Sequence, residues 1–350
     1  MPHRCARVLP PTEIVALPDE FPATLLLLIH TEEEFDWTQP FDRQATSTRG
    51  VDALDGAHAL FSEQGVKPTY VVDWPVIQRT DSGSRFGRWC RDGTAEIGAH
   101  LHPWVNPPHE EEVDEWHSFA GNLGPDLERR KLVALTEAIT ERVGERPRTY
   151  LAGRYGIGAV TPVLLQELGY EVDASATPPF DFRSQGGPDF RRFPSRPFRW
   201  RGAPDLLALP ISGAYHGFLE STGPVVYPFL QSAVGRALKL EGLVSRTGIL
   251  TRARLSPEGF ELVDLIRLTR ALWARGVRIF TLSLHSTTFT PGCTMYVNSE
   301  AELRAFSDRC RAYIDWFREE FGGRPASHLD VARELRGRRG SERPVRTTVH

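Results

Sequence analysis

The sequence has few cysteines and almost no excess of either charge, and it lacks the motifs of several common protein classes. Its four cysteines include no Cys-x-x-Cys pair, so their spacing indicates neither a zinc ribbon nor a disulfide framework. The formal net charge of −3 argues against a surface that binds nucleic-acid phosphates. Gly153–Gly158 matches neither a phosphate loop nor a dinucleotide fingerprint, and the chain has no Gly-x-Ser-x-Gly nucleophile elbow.

Long apolar runs are also missing. Leu25–Ile29 is too short to span a bilayer, so we expect no stable membrane insertion. The segment Met1–Phe21 carries prolines and acidic residues where a signal peptide needs a continuous apolar core. Together with the unpaired cysteines, this composition predicts a cytoplasmic protein.

Strand-like and helix-like segments alternate along the 350 residues, a pattern typical of α/β proteins with a parallel sheet. The predicted strands are 23–30, 68–72, 95–100, 148–152, 171–174, 205–211 and 277–284. Apolar residues at helical spacing predict a helix over 126–144, and Ser256 followed by Pro257 predicts the start of another. About seven βα units favour a single barrel over two domains.

Two segments without periodicity interrupt this alternation. Residues 103–125 and 178–204 are rich in proline and charged or aromatic residues, and we expect them to be long loops at the carboxyl ends of the barrel strands. The predicted organisation is an N-terminal extension over 1–20, a barrel domain over 21–334 and a polar, disordered tail over 335–350.

Ionisable residues stand where the apolar runs end. His100 and His102 are spaced i, i+2 at the end of one strand, so both imidazoles project from the same face. The other strand-end residues are His30, Glu32, Glu33, Arg154, Asp173 and His285. Because active sites of barrels lie at the carboxyl ends of the strands, these residues predict one shared site.

The order of these motifs resembles the polysaccharide deacetylase (NodB-homology) family of carbohydrate esterases. Four segments resemble its WalW-type branch more narrowly, namely TEEEFDW at Thr31–Trp37, AHLHPW at Ala99–Trp104, AGRYG at Ala152–Gly156, and LHS at Leu284–Ser286 with the following Pro-Gly. The resemblance covers about residues 23–332. It implies a distorted (β/α)7 barrel that hydrolyses the amide bond of an acylated amino sugar or polysaccharide precursor.

The resemblance also implies roles for individual residues. In this family a divalent metal, commonly zinc, is held by one carboxylate and two histidines. Glu33 matches the carboxylate and His100 the first histidine, and His102, two residues before the family's position, is the candidate second histidine. Glu32 matches the general base and His285 the general acid, while Arg154 matches the residue that orients the base and Asp173 the one that supports the acid. Such a metal polarises the carbonyl and lowers the pKa of its bound water.

Aromatic residues near these motifs are candidates for binding the substrate. Trp37, Trp104 and Tyr155 can pack against the apolar face of a sugar ring.

The sequence departs from the family pattern at two points, and both keep alternatives open. Trp104 stands where the family has its second metal histidine, and the acidic pair is Glu-Glu instead of Asp-Asp. Strand alternation places Glu32 on the face of His30, so Glu32 is an alternative metal ligand to Glu33. Paired glutamates with a tryptophan also resemble allantoinase-like, metal-independent amidohydrolases. A catalytically silent carbohydrate-binding protein is the third hypothesis.

Overall fold

The computed structural model describes residues 12–341 except residues 239, 241, 243, 245, 246 and 248. The strands are β1 (Thr12–Ile14), β2 (Thr24–Thr31), β3 (Thr69–Val72), β4 (Glu96–Leu101), β5 (Thr149–Ala152), β6 (Val172–Asp173), β7 (Phe198–Trp200), β8 (Ala203–Ala208), β9 (Gly213–His216), β10 (Thr251–Arg254), β11 (Ile279–His285) and β12 (Arg324–Ala326). The helices are α1 (Leu54–Glu63), α2 (Trp74–Gln78), α3 (Ser82–Arg91), α4 (Pro125–Val143), α5 (Thr161–Glu167), α6 (Gly223–Leu230), α7 (Ala233–Ala237), α8 (Leu262–Ala274), α9 (Glu300–Phe321) and α10 (His328–Ser341).

The central sheet is a run of parallel strands in the order β8-β6-β5-β4-β3-β2-β11. Each of these strands corresponds to one predicted from the sequence, so the α/β prediction is confirmed. β2 is the clearest case, because all of its side chains are buried, as expected for a parallel strand covered on both faces. The antiparallel strands β7 and β1 extend the sheet beyond β8, and β12 pairs with the first half of β2.

Two residues bridge the gap between β8 and β11. The Ser212 side-chain oxygen accepts a hydrogen bond from the Thr281 backbone N–H at 2.9 Å, and the Ser212 carbonyl accepts one from Leu255 at 2.6 Å. The Leu255 carbonyl in turn accepts one from Ser283 at 2.9 Å. These bonds bring the carboxyl end of β11 next to the segment that follows β10.

The helix predicted over 126–144 is confirmed, because α4 spans Pro125–Val143 and so differs by one residue at each end. Its buried side chains include Leu132, Leu135 and Ile139, which form the apolar face, and it ends at Gly144 with φ of 83°, a left-handed conformation that glycine adopts readily.

The predicted helix start at Ser256 and Pro257 is wrong. Residues 257–259 form bends, and α8 begins only at Leu262. A capping box precedes it, in which the side chains of Glu261 and Asp264 bind each other's backbone N–H groups. The bend is stabilised by the Glu258 carboxylate within it, which binds His285 and Thr288.

Both ends of the chain carry regular structure within the described residues. β1 lies in the segment interpreted as an N-terminal extension and pairs with β7, while α10 continues to Ser341. Residues 1–11 and 342–350 lie outside the described part of the chain. Every helix in that part is too short or too polar to cross a membrane.

Candidate active site

The carboxyl ends of β2, β4 and β11 bring most of the predicted site residues together. The clustered side chains are His30, Glu32, Glu33, His100, His102 and His285. All except His285 are buried, and His285 is partly exposed. The register explains the convergence, since His285 of β11 lies directly beside His30 of β2.

His100 is oriented by the backbone of the neighbouring strand. Its Nδ1 lies 2.9 Å from the Leu151 carbonyl oxygen, which can only accept, so we assign the proton to Nδ1. Its Nε2 lies 2.9 Å from Oε2 of Glu32. Burial lowers the pKa of His100, which leaves Nε2 without a proton at neutral pH. An imidazole lone pair and a carboxylate at this distance are both acceptors and favour a cation between them.

His102 has the same arrangement with a different support. Its Nδ1 lies 2.7 Å from Oε2 of Glu33, and its Nε2 lies 3.5 Å from Oε2 of Glu32. The ring is held from one side by Trp104, which stacks on it with centroids 4.4 Å apart. Both Nε2 atoms are therefore turned towards one oxygen of Glu32.

Glu32, His100 and His102 fit a divalent metal. One ligand atom of each lies within 4.8 Å of the others, and all three residues are buried. Two imidazoles and one carboxylate are the donor types that zinc prefers. The second nitrogen of each ring is bound to a carbonyl or a carboxylate, the usual support of metal-binding histidines.

Burial tends to raise the pKa of Glu32, but the charge of His285 is the largest influence that holds this pKa well below its usual value. Glu32 therefore remains a carboxylate in spite of its burial, as a metal ligand must.

Glu33 is drawn away from this cluster and into a carboxyl pair with Asp73. Asp73 Oδ2 accepts the Glu33 backbone N–H at 2.7 Å, and Asp73 Oδ1 accepts that of Val76 at 2.9 Å as the cap of α2. Burial raises the pKa of Glu33 to about 7. Burial together with the Glu33 charge raises the pKa of Asp73 well above its usual range.

His285 is fixed by Glu258, a residue that the sequence analysis missed. Its Nδ1 lies 2.7 Å from Glu258 Oε2, and its Nε2 faces Glu32 Oε1 at 3.8 Å. Burial lowers the pKa of His285, but the carboxylates of Glu258 and Glu32 outweigh burial and raise it overall. No motif marks Glu258, because it follows a short antiparallel strand in a bend.

Asp173 lies elsewhere in the sheet. Its Oδ1 accepts the Ser175 backbone N–H at 2.9 Å, and burial raises its pKa to about 6. The carboxylate that faces Nδ1 of His285 belongs to Glu258 instead.

Arg154 points towards an aromatic wall. It donates to Ser118 and Gln185, and its guanidinium lies 4.2 Å from the ring centroid of Phe119 and 5.7 Å from that of Trp37. The contacts of its guanidinium are thus with the loops beside the site.

The three aromatic candidates occupy different depths. Trp37 is 58% exposed at the rim, whereas Trp104 is only 1% exposed and forms the wall behind His102. The ring of Tyr155 lies 5.9 Å from that of His30, and its hydroxyl accepts a hydrogen bond from Arg254 at 2.7 Å. Trp37 can therefore contact a bound molecule, whereas Tyr155 is buried beside His30 and Trp104 is buried behind His102.

No protein-family model matches the chain, and no curated protein is significantly similar to it in sequence. Several solved structures nevertheless superpose on most of it. A protein from Mycobacterium smegmatis assigned as a polysaccharide deacetylase has a TM-score of 0.52 at 18% identity and covers 95% of this chain and 96% of its own. PuuE allantoinase has a TM-score of 0.53 at 14% identity and covers 90% of each chain.

A third structure, from Parabacteroides distasonis and assigned as a glycoside hydrolase/deacetylase, has a TM-score of 0.51 at 11% identity over 92% of this chain and 73% of its own. The chain has the polysaccharide-deacetylase fold. This deacetylase-like fold confirms the (β/α)7 class implied by the sequence motifs, and PuuE allantoinase shares it.

Proposed function

We propose that the protein hydrolyses a carbon–nitrogen bond in a non-peptide amide, and that its substrate is an N-acylated amino sugar or a polysaccharide precursor. The observation that carries this proposal is the convergence of His100 Nε2 and His102 Nε2 on one oxygen of Glu32. Each imidazole is held at its other nitrogen by a carbonyl or carboxylate oxygen. This arrangement is suited to a divalent metal next to a proton-transfer group.

The proposed metal ligands are Glu32, His100 and His102, and zinc is the ion that suits them best. This set replaces Glu33, which the family resemblance implies, with Glu32. Glu33 instead holds His102 through Nδ1. When bound, a divalent metal polarises the amide carbonyl and acidifies water.

Protons are moved by Glu32 and by the two histidines beside it, His30 and His285. His30, Glu32 and His285 each place a nitrogen or oxygen atom within 4.8 Å of the others, and this cluster contains the acceptor for the proton of the attacking water. Charged His285 has a proton on Nε2, which faces Glu32 Oε1 at 3.8 Å. It can donate this proton to the departing amine, either directly or through one water. Glu258 orients His285 and stabilises its charged form.

The aromatic residues of the site orient the substrate. Trp37 offers an exposed ring for a sugar face, and Tyr155 lies next to the buried His30. We also propose a cytoplasmic location, because Cys90, Cys293 and Cys310 are all free thiols, as expected in a reducing compartment.

The second candidate is a metal-independent, allantoinase-like amidohydrolase. It is favoured by the fold shared with PuuE allantoinase and by Trp104 at the position of a family metal ligand. In that case the proton-transfer cluster of His30, Glu32 and His285 would act on the substrate directly. A silent binder is the third candidate and predicts no hydrolysis.

One experiment separates these candidates. The metal content of the purified wild type and of His100→Ala is measured by elemental mass spectrometry, before and after dialysis against zinc. The same samples are assayed for amine release from N-acetylglucosamine oligomers and for hydrolysis of allantoin. About one zinc per chain, lost in the variant together with amine release, supports the deacetylase. Allantoin hydrolysis without metal supports the second candidate, and binding of sugar without any hydrolysis supports the third.

A further inference from the structure

Arg254 brings a positive charge to the edge of the site. It is the last residue of β10, where it pairs with Gly213 of β9. Alternate residues of a strand share a face, and the guanidinium groups of Arg252 and Arg254 lie 4.5 Å and 5.9 Å from the ring centroid of Phe180. The aromatic contact holds the Arg254 side chain against Phe180.

The Arg254 guanidinium is close to the residues that transfer protons. Its Nη1 donates to the Tyr155 hydroxyl at 2.7 Å, and the Tyr155 ring lies next to His30. An anion bound to Arg254 would therefore lie beside the Tyr155 hydroxyl, and the Tyr155 ring contacts His30.

The nearest acidic side chain does not neutralise Arg254. Glu258 uses its carboxylate for His285 and Thr288. Among the residues that the structure describes, Arg254 forms no ion pair with a carboxylate within 4.0 Å, and its described partners are the phenol groups of Tyr155 and Tyr296. A guanidinium has five N–H donors, so neutral partners of this kind leave both charge and donors for a ligand.

The position of Arg254 is accessible to a ligand. The side chain is partly exposed, and the adjoining loop reaches the rim, where Tyr296 is 38% exposed and Met295 is 82% exposed. Arg254 thus lies between the exposed Tyr296 and the buried Tyr155.

We propose that Arg254 binds an anionic group of the substrate, a carboxylate or a phosphate, and so selects negatively charged N-acylated sugars. This inference rests on the proposed amide hydrolysis and specifies its substrate class. Arginine is suited to the task because its planar group can bind two oxygens of a carboxylate or phosphate at once. The anion of the substrate would pair with Arg254 in the way that a protein carboxylate pairs with many arginines.

The test compares three substrates in the metal-loaded protein: neutral N-acetylglucosamine, N-acetylmuramic acid with a carboxylate, and N-acetylglucosamine 1-phosphate. We expect the wild type to have a higher kcat/KM for at least one charged substrate than for the neutral one, mainly through a lower KM. In Arg254→Gln this preference should fall by about tenfold or more, and Arg254→Lys should restore part of it. Arg270→Gln is the matched control, since Arg270 is exposed and pairs with Glu320 away from the site.

The outcomes decide the inference and the proposed function separately. Equal kcat/KM values for charged and neutral substrates, or an unchanged preference in Arg254→Gln, would overturn the role of Arg254 while amide hydrolysis stands. If the wild type releases no amine from any substrate, amide hydrolysis of these sugars fails. In that case, calorimetric titration with glucuronate and with glucose 1-phosphate tests whether Arg254 binds anions. Binding that is lost in Arg254→Gln supports its role and identifies the preferred anion, whereas equal or absent binding overturns it.

Discussion

Glu258 holds His285 at two points. Its Oε2 lies 2.7 Å from Nδ1 of the ring, and its Oε1 accepts the backbone N–H of the same histidine at 2.8 Å. Thr288 donates a further hydrogen bond to Oε1 at 2.6 Å. The carboxylate therefore fixes the position and the tautomer of the imidazole, as in other carboxylate–histidine pairs that transfer protons.

Replacing Glu258 by Gln should lower kcat by about 10²–10⁴-fold with little change in KM, because the ring loses its orientation and the stabilisation of its charged form. Steady-state kinetics on the metal-loaded protein measures both constants. Glu137→Gln, an exposed change on α4, is the control and should leave both unchanged. A rise in KM alone would place Glu258 in substrate binding instead.

Glu32→Gln and Glu33→Gln should differ in zinc affinity. Glu32→Gln removes a proposed ligand, so zinc should be lost in equilibrium dialysis. Glu33→Gln alters only the support of His102 and should retain zinc with an affinity lower by about 10–100-fold. The reverse order of the two affinities would return the ligand role to Glu33.

The buried His328 should make the protein less stable in acid. Its Nδ1 lies 2.9 Å from the Thr69 hydroxyl, and burial lowers its pKa to about 3, against about 6.5 in an unfolded chain. The unfolded state therefore binds a proton below about pH 6.5 that the folded state does not, and stability falls as pH decreases towards 3, by at most about 1.4 kcal/mol per pH unit.

Urea unfolding of the wild type and His328→Asn at about pH 7 and about pH 4.5 tests this effect. The variant should lose less free energy of unfolding between the two pH values than the wild type. His117→Asn, a change in a loop residue that pairs with Asp114, is the control. Parallel pH dependence in all three proteins would contradict the assignment.

Lys131 should contribute to stability by fixing the segment that follows His102. The lysine is fully buried, pairs with Glu111 at 3.0 Å and donates to the Pro103 carbonyl at 2.9 Å. Lys131→Met leaves the Glu111 charge buried without its partner and should lower the free energy of unfolding by about 3–5 kcal/mol. The double variant Lys131→Met/Glu111→Gln should recover part of this loss, and chemical denaturation measures both. Equal losses in the single and double variants would show that the ion pair is not the cause.

The sequence predicts those parts of the site that lie at the ends of buried parallel strands. β2, β4 and β11 are recognisable from their apolar runs, and the i, i+2 spacing of His100 and His102 follows from strand geometry. The strand order β4-β3-β2-β11 then brings His30, His100 and His285 together.

The remaining site residues depend on information that local patterns do not contain. Glu258 and Arg254 come from a short antiparallel hairpin and a bend, neither of which has a recognisable period, and the Ser-Pro pair before Glu258 suggested a helix. The choice between Glu32 and Glu33 depends on the partner of His102 Nδ1, which is a long-range contact. Strand order and side-chain direction, which decide these contacts, arise only when the sheet assembles.

The support of His100 by the Leu151 carbonyl has an evolutionary consequence. A main-chain oxygen is present whatever side chain occupies position 151, so point mutation cannot delete this contact while β5 keeps its register with β4. The neighbouring carboxylates have no such protection. As proteins of this fold diverge, their acidic residues, loops and substrates can therefore change while the backbone keeps the orientation of the His100 ring.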